Sequence, residues 1–113
     1  MNGMSNDDFI ANRGAWTVNR FEACDAKSIE YTRGNLDDRL CNFTRIADLL
    51  GLSWEEVWAV YFTKHSDALI QWVKTGLQGT EGIQSRMDDM QNYLDLLRAH
   101  IEANPVPEDD IPY

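Results

Sequence analysis

Apolar residues recur along this chain at intervals of three and four, the period of an α-helix, and they nowhere alternate long enough to make a strand. The strongest stretch is 53–74. Wound at 3.6 residues per turn, it places Trp54, Val57, Trp58, Tyr61, Ala68, Leu69 and Trp72 on one stripe, with His65 in its middle. Three tryptophans and a tyrosine are more apolar surface than a solvated helix needs, so the pattern predicts an element buried against several neighbours. Ser53 followed at +3 by Glu56 is a capping box that sets the start of this helix. Gly76 and Gly79 bring its end near 75–79.

Two weaker patterns flank it. Leu36, Leu40, Phe43, Ala47 and Leu50 form a stripe opened by the pair Asn35 and Asp38 and stopped by Gly51. Ile83, Met87, Met90, Leu94, Leu97 and Ile101 form another, capped at Thr80 and ended by Asn104 and Pro105. Residues 21–31 read as a helix with Phe21, Cys24 and Ser28 on one side, and 32–35 read as a break. Residues 1–20 are poorly patterned. Ser5 to Asp8 can cap a short turn carrying Phe9 and Ile10, which Gly14 would end, and Trp16 and Val18 read as an arm. The expectation is all-α: a small bundle of three firm helices and one or two weaker ones ahead of them. An N-terminal arm (1–20), a helical domain (21–103) and an acidic, Pro-containing tail (104–113) would make up the chain. Val60 and Ile70 lie off the main stripe, which predicts a central helix covered on more than one side and hence a homo-oligomer.

With 113 residues the chain holds one core. No apolar run approaches the roughly 20 residues that cross a bilayer, so no membrane partner is expected. The first nine residues carry neither a basic nor an apolar region, which predicts a cytoplasmic protein whose two cysteines, Cys24 and Cys41, stay reduced. A net charge of −9 argues against nonspecific nucleic-acid binding, whose affinity comes mostly from Lys and Arg neutralising phosphates. It still permits a small phosphorylated ligand where a few arginines, or a divalent cation, are concentrated at one spot.

Arg86, Asp89 and Tyr93 follow one another at +3 and +4 and form a polar column beside the apolar stripe. Two readings of the column are open. It is a salt-bridged helix flank in which Arg86 pairs with Asp89, or it is a site offering a guanidinium, an acid and a phenol to a ligand. His65 is likewise a satisfied core histidine or a ligand contact. Lys64 borders the same stripe and can reach a cleft with its ammonium. A short connection favours antiparallel packing of the two long helices, which would bring Lys64, His65, Arg86, Asp89 and Tyr93 together. No Gly-rich phosphate loop, CxxC or HExxH is present. No residue is placed to activate Cys24 or Cys41, and no catalytic residue is assigned. Glu55 and Glu56 fit first-turn helix duty, while Glu81 and Asp89 are the candidate ligands for magnesium if a metal takes part.

On these residues the chain resembles the nucleotide modification associated domain 1 family of small phage and prophage proteins. The likeness runs over residues 21–101. It begins at Lys27-Ser28-Ile29-Glu30-Tyr31, near the family's Lys-Ser-x-Asp-Tyr, and continues through Asn42-Phe43 and Lys64-His65. It is clearest at Glu81-Gly82-Ile83-x-x-Arg86-x-x-Asp89-x-x-Asn92-Tyr93-Leu94. Glu30 stands where the family tends to Asp, and Gly82 where it tends to Pro. The resemblance implies an all-helical phage protein of nucleotide metabolism or DNA modification, and it adds Tyr31 and Asn42 to the candidate ligand contacts. It implies binding of a nucleotide or derivative, in modified-nucleotide metabolism or as sequestration of a defence signal. The chain is also distantly similar to the all-α nucleoside triphosphate pyrophosphohydrolases. Their magnesium site uses Glu-x-x-Glu and Glu-x-x-Asp, whereas Glu55 and Glu56 are followed at +3 by Trp58 and Ala59. Hydrolysis is therefore the alternative reading, and a non-catalytic oligomeric interaction protein another.

Overall fold

The computed structural model describes residues 2–31 and 38–105, without the side chain of Tyr31. The fold is all-α, with α1 (Asn6–Tyr31), α2 (Cys41–Leu50), α3 (Trp54–Thr75) and α4 (Ile83–Ala103). Among the described residues, no helix is long and apolar enough to cross a membrane.

The capping box at the head of α3 forms as the sequence predicts. Glu56 N–H donates to Ser53 Oγ and Ser53 N–H to Glu56 Oε1, each at 3.0 Å. Gly51 and Gly76 end α2 and α3 in the left-handed conformation that only glycine adopts without strain. Phe43 and Ala47 of α2 pack on Trp54 and Val57 of α3, and this buried group is the centre of the core. Around it, Phe43 meets Trp54, Tyr61 and Tyr93 with ring centroids 5.1, 5.6 and 6.1 Å apart. Helices α3 and α4 run antiparallel, as the short connection predicts. Glu55 meets His100, the Trp58 indole donates to the Tyr93 carbonyl at 2.7 Å, and His65 meets Arg86.

Four local expectations are corrected. Gly14 does not end a helix: α1 runs unbroken from Asn6 to Tyr31, opened by Ser5, whose Oγ accepts from Asp8 N–H at 3.1 Å. A single mid-helix glycine costs about 1 kcal/mol against Ala, too little to break a helix anchored at its far end. That anchor includes buried Arg20, held 2.8 Å from Asp95. Thr80 does not cap α4. The helix starts at Ile83 behind Gly82, and the Gln78 side-chain oxygen accepts the Ile83 N–H at 2.7 Å. Trp72, expected on the buried stripe, is 38% exposed, because α4 begins only at Ile83, whose neighbour Arg86 faces His65, two turns before Trp72. Leu50, Met87, Leu94 and Ile101 are exposed as well. The face that α4 turns inward carries Arg86, Asp89, Tyr93, Leu96 and His100, so the polar column, and not the stripe's Met87–Leu94–Ile101 edge, meets the bundle. The proposed Asn35 and Leu36 start of α2 lies outside the described residues, as does most of the tail; α2 itself begins at Cys41.

Candidate functional site

Helix α1 lies antiparallel on α4, with Arg20 against Asp95 at one level and Lys27 against Asp89 at the next. Where this pair meets α2 and α3, a hollow of about 280 Å³ remains. Cations Lys27, Arg39 and Lys64, phenols Tyr61 and Tyr93, and carboxamides Asn42 and Asn92 line it. His65, Glu81 and Asp89 line one side of it.

His65 is 5% exposed, between the Tyr93 ring and two charged partners of α4. Arg86 Nη1 stands 3.3 Å from its Nδ1, and its Nε2 is 3.9 Å from Asp89 Oδ2. Arg86 also lies 3.5 Å from Glu81 Oε2, while Ser85 Oγ donates to Glu81 Oε1 at 2.9 Å. Lys27 Nζ donates to Asp89 Oδ1 at 3.4 Å. Arg86 and Asp89, spaced to pair with each other, thus take different partners, because both side chains lean into the bundle where Glu81, His65 and Lys27 lie closer.

Burial lowers the His65 pKa, against the pull of Asp89, and the Arg86 charge lowers it further. Burial raises the Asp89 pKa in spite of Lys27. Burial of Glu81 is outweighed by its hydrogen bonds with Ser85 and Asp89 and by the Arg86 charge, and its pKa falls. The two neighbouring carboxyls are thus shifted in opposite directions, Asp89 up by burial and Glu81 down by its hydrogen bonds and Arg86.

Among the described residues, His65, Glu81 and Asp89 offer ligand atoms within 4.8 Å of one another. This set does not fit magnesium. That ion demands hard oxygen ligands in near-octahedral array, whereas here one donor is a ring nitrogen and both carboxyls already face Arg86 or Lys27.

Of the residues proposed from sequence, Asn42, Lys64, His65, Asp89 and Tyr93 line the hollow. Arg86 stands behind His65 and touches the hollow through it. Tyr31 lies outside the described side chains. The tryptophans of α3 do not line the hollow: Trp54 is buried face to face with His100, with centroids 3.8 Å apart, and Trp58 stacks on Phe62. Tyr61 and Tyr93 hold the positions left for stacking. Lys27, Ser28 and Cys24 were not singled out as contacts, although their +3 and +4 spacing marks one face of α1. Cys24 and Cys41 are both free thiols. Burial and the Asp89 charge push the Cys24 thiol up, away from the thiolate that a nucleophile needs.

Comparison with family models, with curated proteins and with solved structures found no match to this chain.

Proposed function

We propose that this protein binds a phosphorylated small molecule, a nucleotide or nucleotide derivative, in the hollow between its helices. One observation carries the reading: three cations, two phenols and two carboxamides, drawn from all four helices and the approach to α2, converge on one cavity. Its volume sits at the lower edge of small-molecule sites, roughly 300–1,000 Å³, which suits a single nucleoside unit. Lys64, Arg39 and Lys27 are the groups for phosphate. Tyr61 and Tyr93 offer faces for a base, and Glu81 accepts a sugar hydroxyl or an exocyclic amine. The resemblance to the nucleotide modification associated domain 1 family points to the same ligand class. On that reading the setting is a phage protein that serves modified-nucleotide metabolism or sequesters a signal nucleotide. A hydrolase reading draws no support from a donor set that does not fit magnesium.

Isothermal titration against nucleoside mono-, di- and triphosphates, each with and without magnesium, tests the proposal. Heat with at least one member that disappears in Lys64→Ala supports it, and no heat with any member removes it. A homo-oligomer is a compatible second reading, favoured by Met87, Leu94 and Ile101, which lie exposed at seven-residue intervals along α4.

A further inference from the structure

We infer that Arg86 fixes His65 as an Nε2–H donor toward the hollow, so that the ligand is received through an acceptor atom of its own and without a bridging metal ion. The inference deepens the binding reading above and rests on it for the ligand, but its core concerns the free protein. A guanidinium donates only and accepts nothing. With Arg86 Nη1 at 3.3 Å, His65 Nδ1 must supply the lone pair, and the single proton of the neutral ring then sits on Nε2. Nε2 is 3.9 Å from Asp89 Oδ2, beyond hydrogen-bond reach, which leaves this donor to a ligand in the hollow that His65 lines.

The same arrangement opposes a metal ion. A histidine that ligates a metal through one nitrogen carries its proton on the other and donates it to a carboxylate, carbonyl or water. Here that outer position holds a cation with nothing to accept the proton. Coordination through Nε2 would require the ring to change tautomer and Arg86 to leave. Glu81 and Asp89 add to the mismatch, since Arg86 and Lys27 already offset their charge. Arg86 is therefore a positioning residue: it orients His65 and keeps divalent ions out of a His–Glu–Asp group that lies within reach of one. The ligand atom that meets His65 is an acceptor such as a phosphate oxygen, a sugar oxygen or a base carbonyl.

The test is a long-range proton–nitrogen correlation of His65 in the uniformly ¹⁵N-labelled full chain at neutral pH. The chain has only two histidines, and a His100→Gln sample assigns them. The expected result is a protonated Nε2 and an unprotonated Nδ1, with the His65 signals left sharp by Mn²⁺. A protonated Nδ1, or selective broadening of His65 by Mn²⁺ in the wild type, overturns the inference. In Arg86→Gln the barrier to coordination is removed, and Mn²⁺ affinity should rise on the order of 10–100-fold, the scale of outer-partner effects. Unchanged Mn²⁺ affinity in a folded variant contradicts the gatekeeping role, and should the variant not fold, the wild-type spectrum decides alone. Titration with adenosine 5′-monophosphate in EDTA separates the two claims. Binding only after magnesium is restored overturns the metal-free claim, while a correct tautomer with no nucleotide binding at all overturns the proposed function alone.

Discussion

Replacing Asp89 with Asn should leave the fold nearly as stable as the wild type. Asp89 lies 3.4 Å from Lys27, a separation at which two unit charges attract by about 5 kcal/mol at an effective dielectric constant of about 20. That gross attraction does not decide the sign. Burial is the larger effect, and the Asp89 pKa is raised despite Lys27, so the charged carboxylate is less at home here than in water. Lys27 is also nearly half exposed, which leaves such a pair worth no more than about 1 kcal/mol. An acid with a raised folded-state pKa binds more protons folded than unfolded, so its contribution declines as pH rises above about 4. Asn keeps the shape and the donor toward Glu81 but has no proton to lose. Urea unfolding followed by tryptophan fluorescence should therefore place Asp89→Asn within about 1 kcal/mol of wild type at pH 7. The difference should move in the variant's favour between pH 4 and pH 7. A loss of more than about 2 kcal/mol at pH 7 would refute this reasoning and make the carboxylate a structural group.

Three further outcomes are expected. Phe43→Ala removes the ring shared by Trp54, Tyr61 and Tyr93 and should cost about 3–5 kcal/mol in urea unfolding, because these neighbours cannot close on the gap. Glu55 accepts from His100 at 2.7 Å and its pKa is lowered chiefly by that bond. Its stabilisation is present above the ordinary carboxylate pKa and fades as pH falls through the lowered one. Being largely exposed, Glu55 should contribute less than about 1 kcal/mol, so Glu55→Gln should lower the melting temperature slightly at pH 6 and not at all at pH 2.5. If α4 carries a self-association face, sedimentation velocity should show an oligomer in the wild type and a monomer in Leu94→Glu; a monomeric wild type ends that reading.

The end of α2 and both ends of α3 were legible because their signals are local. Ser53 with Glu56, Gly51 and Gly76 act within one turn, and no tertiary contact is needed to read them. Partner choice was not legible in the same way. Spacing offered Arg86 and Asp89 to each other, yet Glu81, His65 and Lys27 outcompete that pairing through positions set by the packing of three helices. Periodicity also misjudged one edge of the inward face of α4. A stripe of Met and Leu outweighs a polar column in any hydropathy count, but the column gains partners on α1 and α3 and turns inward beside Ile83 and Leu97, while Met87, Leu94 and Ile101 stay exposed. Lys27 and Ser28 entered the sequence reading only within a motif and a helix face, with no contact assigned, because a lysine and a serine near a helix end look like solvated residues until α4 is seen beside them.

On the proposed reading one hollow, walled by Tyr61, His65 and Tyr93, holds a nucleotide-sized ligand. A proton–nitrogen correlation titration of the full chain with adenosine 5′-monophosphate tests it most directly. Shifts confined to Asn42, Lys64, His65, Asn92 and their neighbours, saturating with one equivalent site, are the predicted result. Shifts scattered over the exposed faces of α1 and α4, or no shifts with this or any other nucleotide, would contradict it.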